Sequence, residues 1–258
     1  GQDARDLAAF LSRGDVPCSM NHTRKDRPMP EAPLVVIAMA YGYLVGSIPT
    51  AYLVARWRRG IDIRRYGSGN VGASNVARHV GRVSFAVVAA FDVLAKGAGS
   101  VVVARALGLD VQFQALAAVA AVVGHNWSVY LRFSGGRGLS VVAGGLLLLA
   151  WEELVAGLAV ALVGWLVFRS IALWFGIALV LLPAWALLLG KPPIIVLFCV
   201  ALLVATALKR LLSNPGTAPS GLRWRDMAIP RLLYDRDTWK AGDWVKRKPE
   251  EADHGSDG

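Results

Sequence analysis

Residues 60–81 read GIDIRRYGSGNVGASNVARHVG. Gly67, Gly69 and Gly72 stand among the small polar side chains of Ser68, Asn70, Ser74 and Asn75, and Arg64, Arg65 and Arg78 supply positive charge. A segment this polar cannot reside in hydrocarbon, yet long apolar runs lie on both sides of it. A glycine-rich, cationic loop between two membrane spans predicts a site for an anion. Close backbone approach and arginine forks are what phosphate oxygens need.

The surrounding composition agrees. Of 258 residues 55% are hydrophobic and only 18% charged, whereas soluble domains are about a quarter charged. The apolar excess is concentrated in long runs, which makes the chain an integral membrane protein of all-α class. Residues 1–32 are polar and lack the apolar centre of a signal peptide, so the first span is expected to act as an uncleaved insertion signal. The net charge of +10 sits wholly within residues 34–212, which hold fifteen Lys/Arg against Asp62, Asp92, Asp110, Glu152 and Glu153. Arg56, Arg58, Arg59, Arg64, Arg65, Arg78 and Arg82 crowd the first loop. That bias marks a cytoplasmic face and suits phosphate or anionic headgroups. No basic soluble domain exists to carry nucleic acid. Cys18 and Cys199 are too far apart in sequence and environment to suggest a disulfide or a metal site.

Three regions are expected: a polar extension over 1–32 with a short amphipathic piece at Ala4–Leu11, a membrane domain over 33–212, and a polar tail over 213–258. Seven spans are predicted, at about Leu34–Ala55, Val83–Leu107, Val111–Leu131, two sharing the stretch from Gly138 to Phe168 and divided near Trp151-Glu152-Glu153, then Ile171–Leu189 and Pro193–Leu212. An odd number of spans with the basic loops inside gives N-terminus out and C-terminus in. The tail, with Trp224, Trp239 and Trp244, is expected along the membrane surface.

Several residues inside this frame can carry chemistry. Asp92 and Lys96 are spaced i, i+4 in mid-span and so share one helix face. They form either a structural ion pair or a polar wall beneath a headgroup site. Ser134-Gly135-Gly136-Arg137-Gly138 leads directly into an apolar helix, where a helix N-terminus, glycine amides and one guanidinium converge on an anion. His125 closes a span and serves as a general base, a cap or a packing group. No Ser–His–acid set or metal-ligand cluster can be assembled from the four histidines.

Taken together, GSIPTAYLVAR (46–56), GIDIRRYGSGNVGASNVARHVGR (60–82), FDVLAKG (91–97) and GHNWSVYLRFSGGRG (124–138) resemble, in order and spacing, the bacterial acylphosphate:glycerol-3-phosphate acyltransferase family. The resemblance implies about seven membrane helices in the bacterial cytoplasmic membrane and an active site facing the cytoplasm. It also implies acyl transfer from acyl phosphate to the sn-1 hydroxyl of glycerol 3-phosphate, giving lysophosphatidate for phospholipid synthesis, with no cofactor or metal. Partners are then glycerol 3-phosphate, acyl phosphate and membrane lipids. Ser68, Asn70, Ser74, Asn75 and Arg78 would hold substrate together with Gly135, Gly136, Arg137 and Gly138, arginine standing at 137 where the family usually has lysine. Asp92, Lys96 and His125 are the candidate catalytic groups. The family's third polar motif, an Arg-His-Arg and Asn cluster before a final Arg-Leu-Leu, falls at Leu203–Ala207 here. It is expected to be missing or rebuilt.

Two other readings fit the composition. A non-catalytic relative would bind phosphorylated lipid precursors without acyl transfer. A small transporter would show internal repeats and several charges within spans, and the sequence has no repeat and one clear intramembrane pair.

Overall fold

The computed structural model describes residues 31–214 and 223–236. The piece at Ala4–Leu11, Cys18, and Trp239 and Trp244 lie outside them. Every element is helical: α1 Glu31–Ser47, α2 Thr50–Arg59, α3 Ala73–His79, α4 Arg82–Phe91, a π-helical segment Asp92–Ala98, α5 Gly99–Ala106, α6 Val111–Asn126, α7 Leu139–Leu149, α8 Trp151–Phe168, α9 Ile171–Leu188, α10 Pro193–Leu212 and α11 Trp224–Tyr234. Short 3₁₀ turns stand at Ile63–Arg65 and Val129–Leu131.

Among the described residues five helical stretches are long and apolar enough to cross a membrane: Glu31–Arg59, Arg82–Ala106, Trp151–Phe168, Ile171–Leu188 and Pro193–Leu212. Their outward faces carry exposed leucines, such as Leu158, Leu162 and Leu166 on α8. In water such a surface would associate; in lipid it is the solvated face.

The expected first span does not run unbroken. Pro49 lacks an amide proton and cannot continue the helical ladder, so the chain breaks between α1 and α2. The Ile48 carbonyl accepts the Thr50 amide and the Lys96 ammonium. The second span also departs from a plain α-helix, widening into a π turn at Asp92–Ala98, a feature often found at functional sites. The third span ends as a helix at Asn126, before the expected Leu131, because Trp127 leaves helical geometry at φ −129. The predicted division of the long apolar stretch falls at Ala150, between α7 and α8.

Small residues draw the helices together. A Cβ on Gly42 or Gly46 would strike the backbone of Ala117 or Ala121, and one on Gly124 the backbone of Tyr43, so α1 and α6 touch along their main chains. Gly97 and Gly144 do the same for the π segment and α7. Membrane helices associate through such contacts because lipid gives them no hydrophobic drive. The main core is shared by α5, α6, α7 and α10 through Val101, Val122, Val141, Leu146, Phe198 and Leu202. A smaller one, with Ile63, Val71, Val76 and Val88, lies beneath the first loop.

Candidate active site

At the bottom of the site Asp92 and Lys96 stand one π turn apart, each 1% exposed. Lys96 Nζ is 2.7 Å from Asp92 Oδ1, donates to the Ile48 carbonyl at 2.6 Å and lies 3.5 Å from His125 Nδ1. Asp92 also accepts the Thr50 hydroxyl at 3.2 Å and faces His125 Nδ1 with its other oxygen at 3.8 Å. The break at Pro49, the π turn and the end of α6 thus bring their polar groups to one point. A buried ion pair is costly to dehydrate and persists only when its remaining donors and acceptors are met; here they are.

The second glycine loop lies directly on this cluster. Gly136 donates its amide to the His125 carbonyl at 3.0 Å. A Cβ at Gly136 would run into the His125 ring at Nε2, and one at Gly135 into the His125 and Asn126 carbonyls. Glycine is required at both positions by this approach. Gly138, at φ 74, turns the chain into α7 in a conformation that only glycine adopts freely. Arg137 is buried and donates to the Lys209 carbonyl at 2.8 Å.

The first loop closes from the other side. The Val71 amide donates to the Gly135 carbonyl at 3.2 Å, so the two glycine segments run together. Asn75 is buried, and its side-chain amide donates to the carbonyls of Ile63, Tyr66 and Asn70. It gathers the loop from within. Ser68 Oγ accepts the Asn70 amide at 3.3 Å. Asp62 caps the Ile63–Arg65 turn and pairs with Arg64 at 2.6 Å, and that hydrogen-bonded guanidinium holds the Asp62 carboxyl below the usual carboxylate range. Ser74 and Arg78 lie exposed on α3. Among the described residues no hydrogen bond or ion pair ties either to the buried cluster.

One residue absent from the sequence reading completes the site. Asn214, just past α10, accepts the Gly135 amide at 3.1 Å and the Lys209 ammonium at 2.8 Å. Its side-chain amide donates to the carbonyls of Gly69 at 3.1 Å and Gly135 at 3.0 Å. Leu203–Ala207 lies deeper in the membrane helix, and the polar groups arrive at its end as Lys209, Arg210 and Asn214. The signal available in the sequence was the Lys209-Arg210 pair beside a helix-ending Ser213-Asn214.

Helices with exposed leucines, a buried ion pair and two glycine loops fused over it define a polytopic membrane protein with a buried polar cluster beneath its loops. A family model for glycerol-3-phosphate acyltransferase matches residues 36–214. The protein belongs to that family. Glycerol-3-phosphate acyltransferase 4 of Dehalococcoides mccartyi (strain CBDB1) is 35% identical over 232 residues, covering 84% of this chain and 95% of the relative. Glycerol-3-phosphate acyltransferase 2 of Moorella thermoacetica is 51% identical over 115 residues, which is 45% of this chain and 58% of that relative. The fold resembles the crystal structure of PlsY (YgiH), an integral membrane glycerol 3-phosphate acyltransferase, in its glycerol 3-phosphate form, with TM-score 0.64 and 26% identity over 68% of this chain and 88% of that one.

Proposed function

We propose that this protein transfers a fatty acyl group from acyl phosphate to the sn-1 hydroxyl of glycerol 3-phosphate, forming lysophosphatidate in phospholipid synthesis. The observation that carries the reading is the joining of both glycine loops by Asn214 directly above the buried Asp92–Lys96–His125 cluster. It is an anion cradle with a charged floor.

An acyl phosphate is a mixed anhydride and already activated. The sn-1 oxygen attacks the acyl carbon, the bond from that carbon to the phosphate oxygen breaks, and inorganic phosphate leaves. What the protein must supply is alignment of two anions and stabilisation of the charge that develops on the carbonyl and leaving oxygens. Arg137, carried on the Gly135–Gly138 loop, holds one phosphate. The first loop, with Ser68, Asn70, Ser74 and Arg78 on its open side, holds the other.

His125 acts here as a donor. Lys96 has three ammonium protons; two go to Asp92 and Ile48, and the third points at His125 Nδ1. With Nδ1 accepting, the ring proton sits on Nε2, the nitrogen that faces Gly136. It is then placed to stabilise negative charge in the loop, and the hydroxyl proton passes to the departing phosphate. Asp92 fixes the charge state of Lys96 and through it the tautomer.

The seven-pass arrangement, N-terminus out, follows if α6 and α7 also cross. Their 16 and 11 residues give about 24 and 16 Å of helix, and the buried Gly135–Gly138 loop makes up depth on the α7 side, which irregular backbone can do when enclosed by protein. The basic first loop, Arg132, Arg169 and Lys209 then share the cytoplasmic face of a bacterial cytoplasmic membrane.

The test is acyl transfer from palmitoyl phosphate to labelled glycerol 3-phosphate by the purified protein, beside Arg137→Ala and Arg78→Ala. Turnover in the wild type with at least a tenfold loss in each variant is the expected result. A folded wild type that transfers nothing from palmitoyl phosphate or acyl-CoA would overturn the reading.

A further inference from the structure

The family match ends at residue 214, yet the chain returns to the site beyond it. Helix α11 packs against α9 and α10 and is fastened by two reciprocal bonds: Arg210 donates to the Leu232 carbonyl at 2.7 Å, and Arg231 donates to the Leu211 carbonyl at 2.9 Å. The helix ends at Asp235, which takes the left-handed conformation at φ 56. That geometry is uncommon outside glycine, and aspartate is among the few residues that tolerate it. It brings the Asp235 carboxylate to 2.8 Å from Arg137 Nε. The contact is one of charge, since neither atom has an aligned hydrogen bond there. Arg210 lies within electrostatic reach of both partners, and Lys209 within reach of Arg137.

Arg137, Lys209 and Arg210 are three cations gathered at one end of the site. Asp62 and Asp92 are each committed to a cation of their own, so neither neutralises this group. Asp235 does, and it reaches the guanidinium that the phosphate of a substrate would need. Resting on the reading of Arg137 as a phosphate ligand, we propose that Asp235 is an internal stand-in for that phosphate, competing with the anionic substrate for Arg137 so that the α11 segment sets the affinity of the site. The pair's misalignment makes it exchangeable: a tetrahedral phosphate offers the guanidinium fork two acceptors, where Asp235 offers one oxygen without a directed bond.

The experiment measures equilibrium binding of inorganic phosphate by calorimetry, and KM and kcat for glycerol 3-phosphate, on the full chain. Asp235→Asn removes the charge and keeps the shape; Asp235→Gly removes the carboxylate and suits the left-handed backbone. Both variants should bind phosphate about fivefold more tightly, the scale of one partly exposed ion pair. Each should lower KM by the same factor with kcat retained, and Asp235→Glu should behave as wild type. Unchanged or weaker phosphate binding in folded Asp235→Asn and Asp235→Gly would overturn the proposal and make Asp235 a structural counter-ion. Failure of the acyltransferase reading would look different: wild type and variants alike would transfer no acyl group, while phosphate binding would still report on Asp235.

Discussion

Asn214 and Gly135 are bonded in both directions: the Gly135 amide donates to Asn214 Oδ1 at 3.1 Å and the Asn214 side-chain amide donates to the Gly135 carbonyl at 3.0 Å. A side chain that reproduces both halves of a backbone ladder fixes the loop in position and orientation together. The same amide reaches the Gly69 carbonyl, so one residue sets the spacing of the two segments that would cradle phosphate. Asn214→Ala would strand the Gly135 amide, the Gly69 carbonyl and the Lys209 ammonium, at about 1–3 kcal/mol for a group left unsatisfied. Turnover should fall at least tenfold and the unfolding midpoint in detergent should drop. Asn214→Asp, which keeps the acceptor and loses the donor, should fall between the two.

Glycine positions in the two loops should separate sharply on substitution. At Gly136 an added methyl meets the His125 ring and the Val71 carbonyl, so alanine must displace one loop from the other. Overpacking of this kind costs about 1–3 kcal/mol, and here the displaced groups are the candidate catalytic ones. Gly136→Ala should therefore lose about a hundredfold in kcat/KM, in the range expected when a reacting geometry shifts by an ångström. Gly72 has an extended φ of −142, and its added methyl would meet only Asn70 Nδ2 at 3.7 Å. Gly72→Ala should retain activity near wild type. Equal losses at the two positions would show that the loops tolerate no change at all and would remove the argument from His125.

The Asp92–Lys96 pair should behave as a unit. Lys96→Met leaves Asp92 as a buried uncompensated charge, a change that costs about 3–5 kcal/mol in comparable pairs. Replacing both, as Asp92→Asn with Lys96→Met, removes the stranded charge, so the double variant should be more stable than Lys96→Met alone. A double-mutant cycle on unfolding midpoints reads this coupling directly. Transferase activity should be lost in all three, because the donor tautomer of His125 depends on the ammonium facing Nδ1.

Much of this arrangement was legible in the residues, and the failures have physical causes. Long apolar runs cannot be anything but membrane helices, and the break at Ala150, beside Glu152 and Glu153, fell where the charges predicted it. The i, i+4 spacing placed Asp92 and Lys96 on one face, and it does so even though the helix there is π rather than α. Pro49 was visible, but whether proline kinks a membrane helix or splits it depends on what partners the interrupted backbone finds; here the Ile48 carbonyl accepts from Lys96, 48 positions on. Asn75 read as a ligand from its polarity and from the family resemblance, and its side-chain amide also gathers three loop carbonyls. A side chain's partners in a loop are set by the turn, which composition does not encode. Asn214 was flagged only by the neighbouring Lys209-Arg210 pair: it acts across the fold on glycines remote in sequence, and nothing local to it names those partners.

The Asp62–Arg64 pair gives a pH dependence outside the membrane-spanning helices. Arg64 hydrogen-bonds the carboxylate and lowers its pKa from the ordinary aspartate value of 3.8, so the folded state binds this proton less readily than the unfolded chain. Stability from the pair is then fully present above pH 3.8 and is lost as pH falls through the lower folded value. The pair is partly exposed, with Arg64 37% and Asp62 22% accessible, and screening limits it to about 0.5 kcal/mol. Asp62→Asn should accordingly unfold slightly earlier than wild type at neutral pH, by an amount that shrinks below pH 3.8. A gap that instead widened on acidification would mean that Asp62 is favoured in its protonated form in the folded loop. Because Asp62 caps the turn whose Ile63 and Tyr66 carbonyls hold Asn75, the same substitution should also raise KM for glycerol 3-phosphate. Arg64→Lys, which keeps the charge and loses the fork, should reproduce the shift in KM while moving the acid limb less.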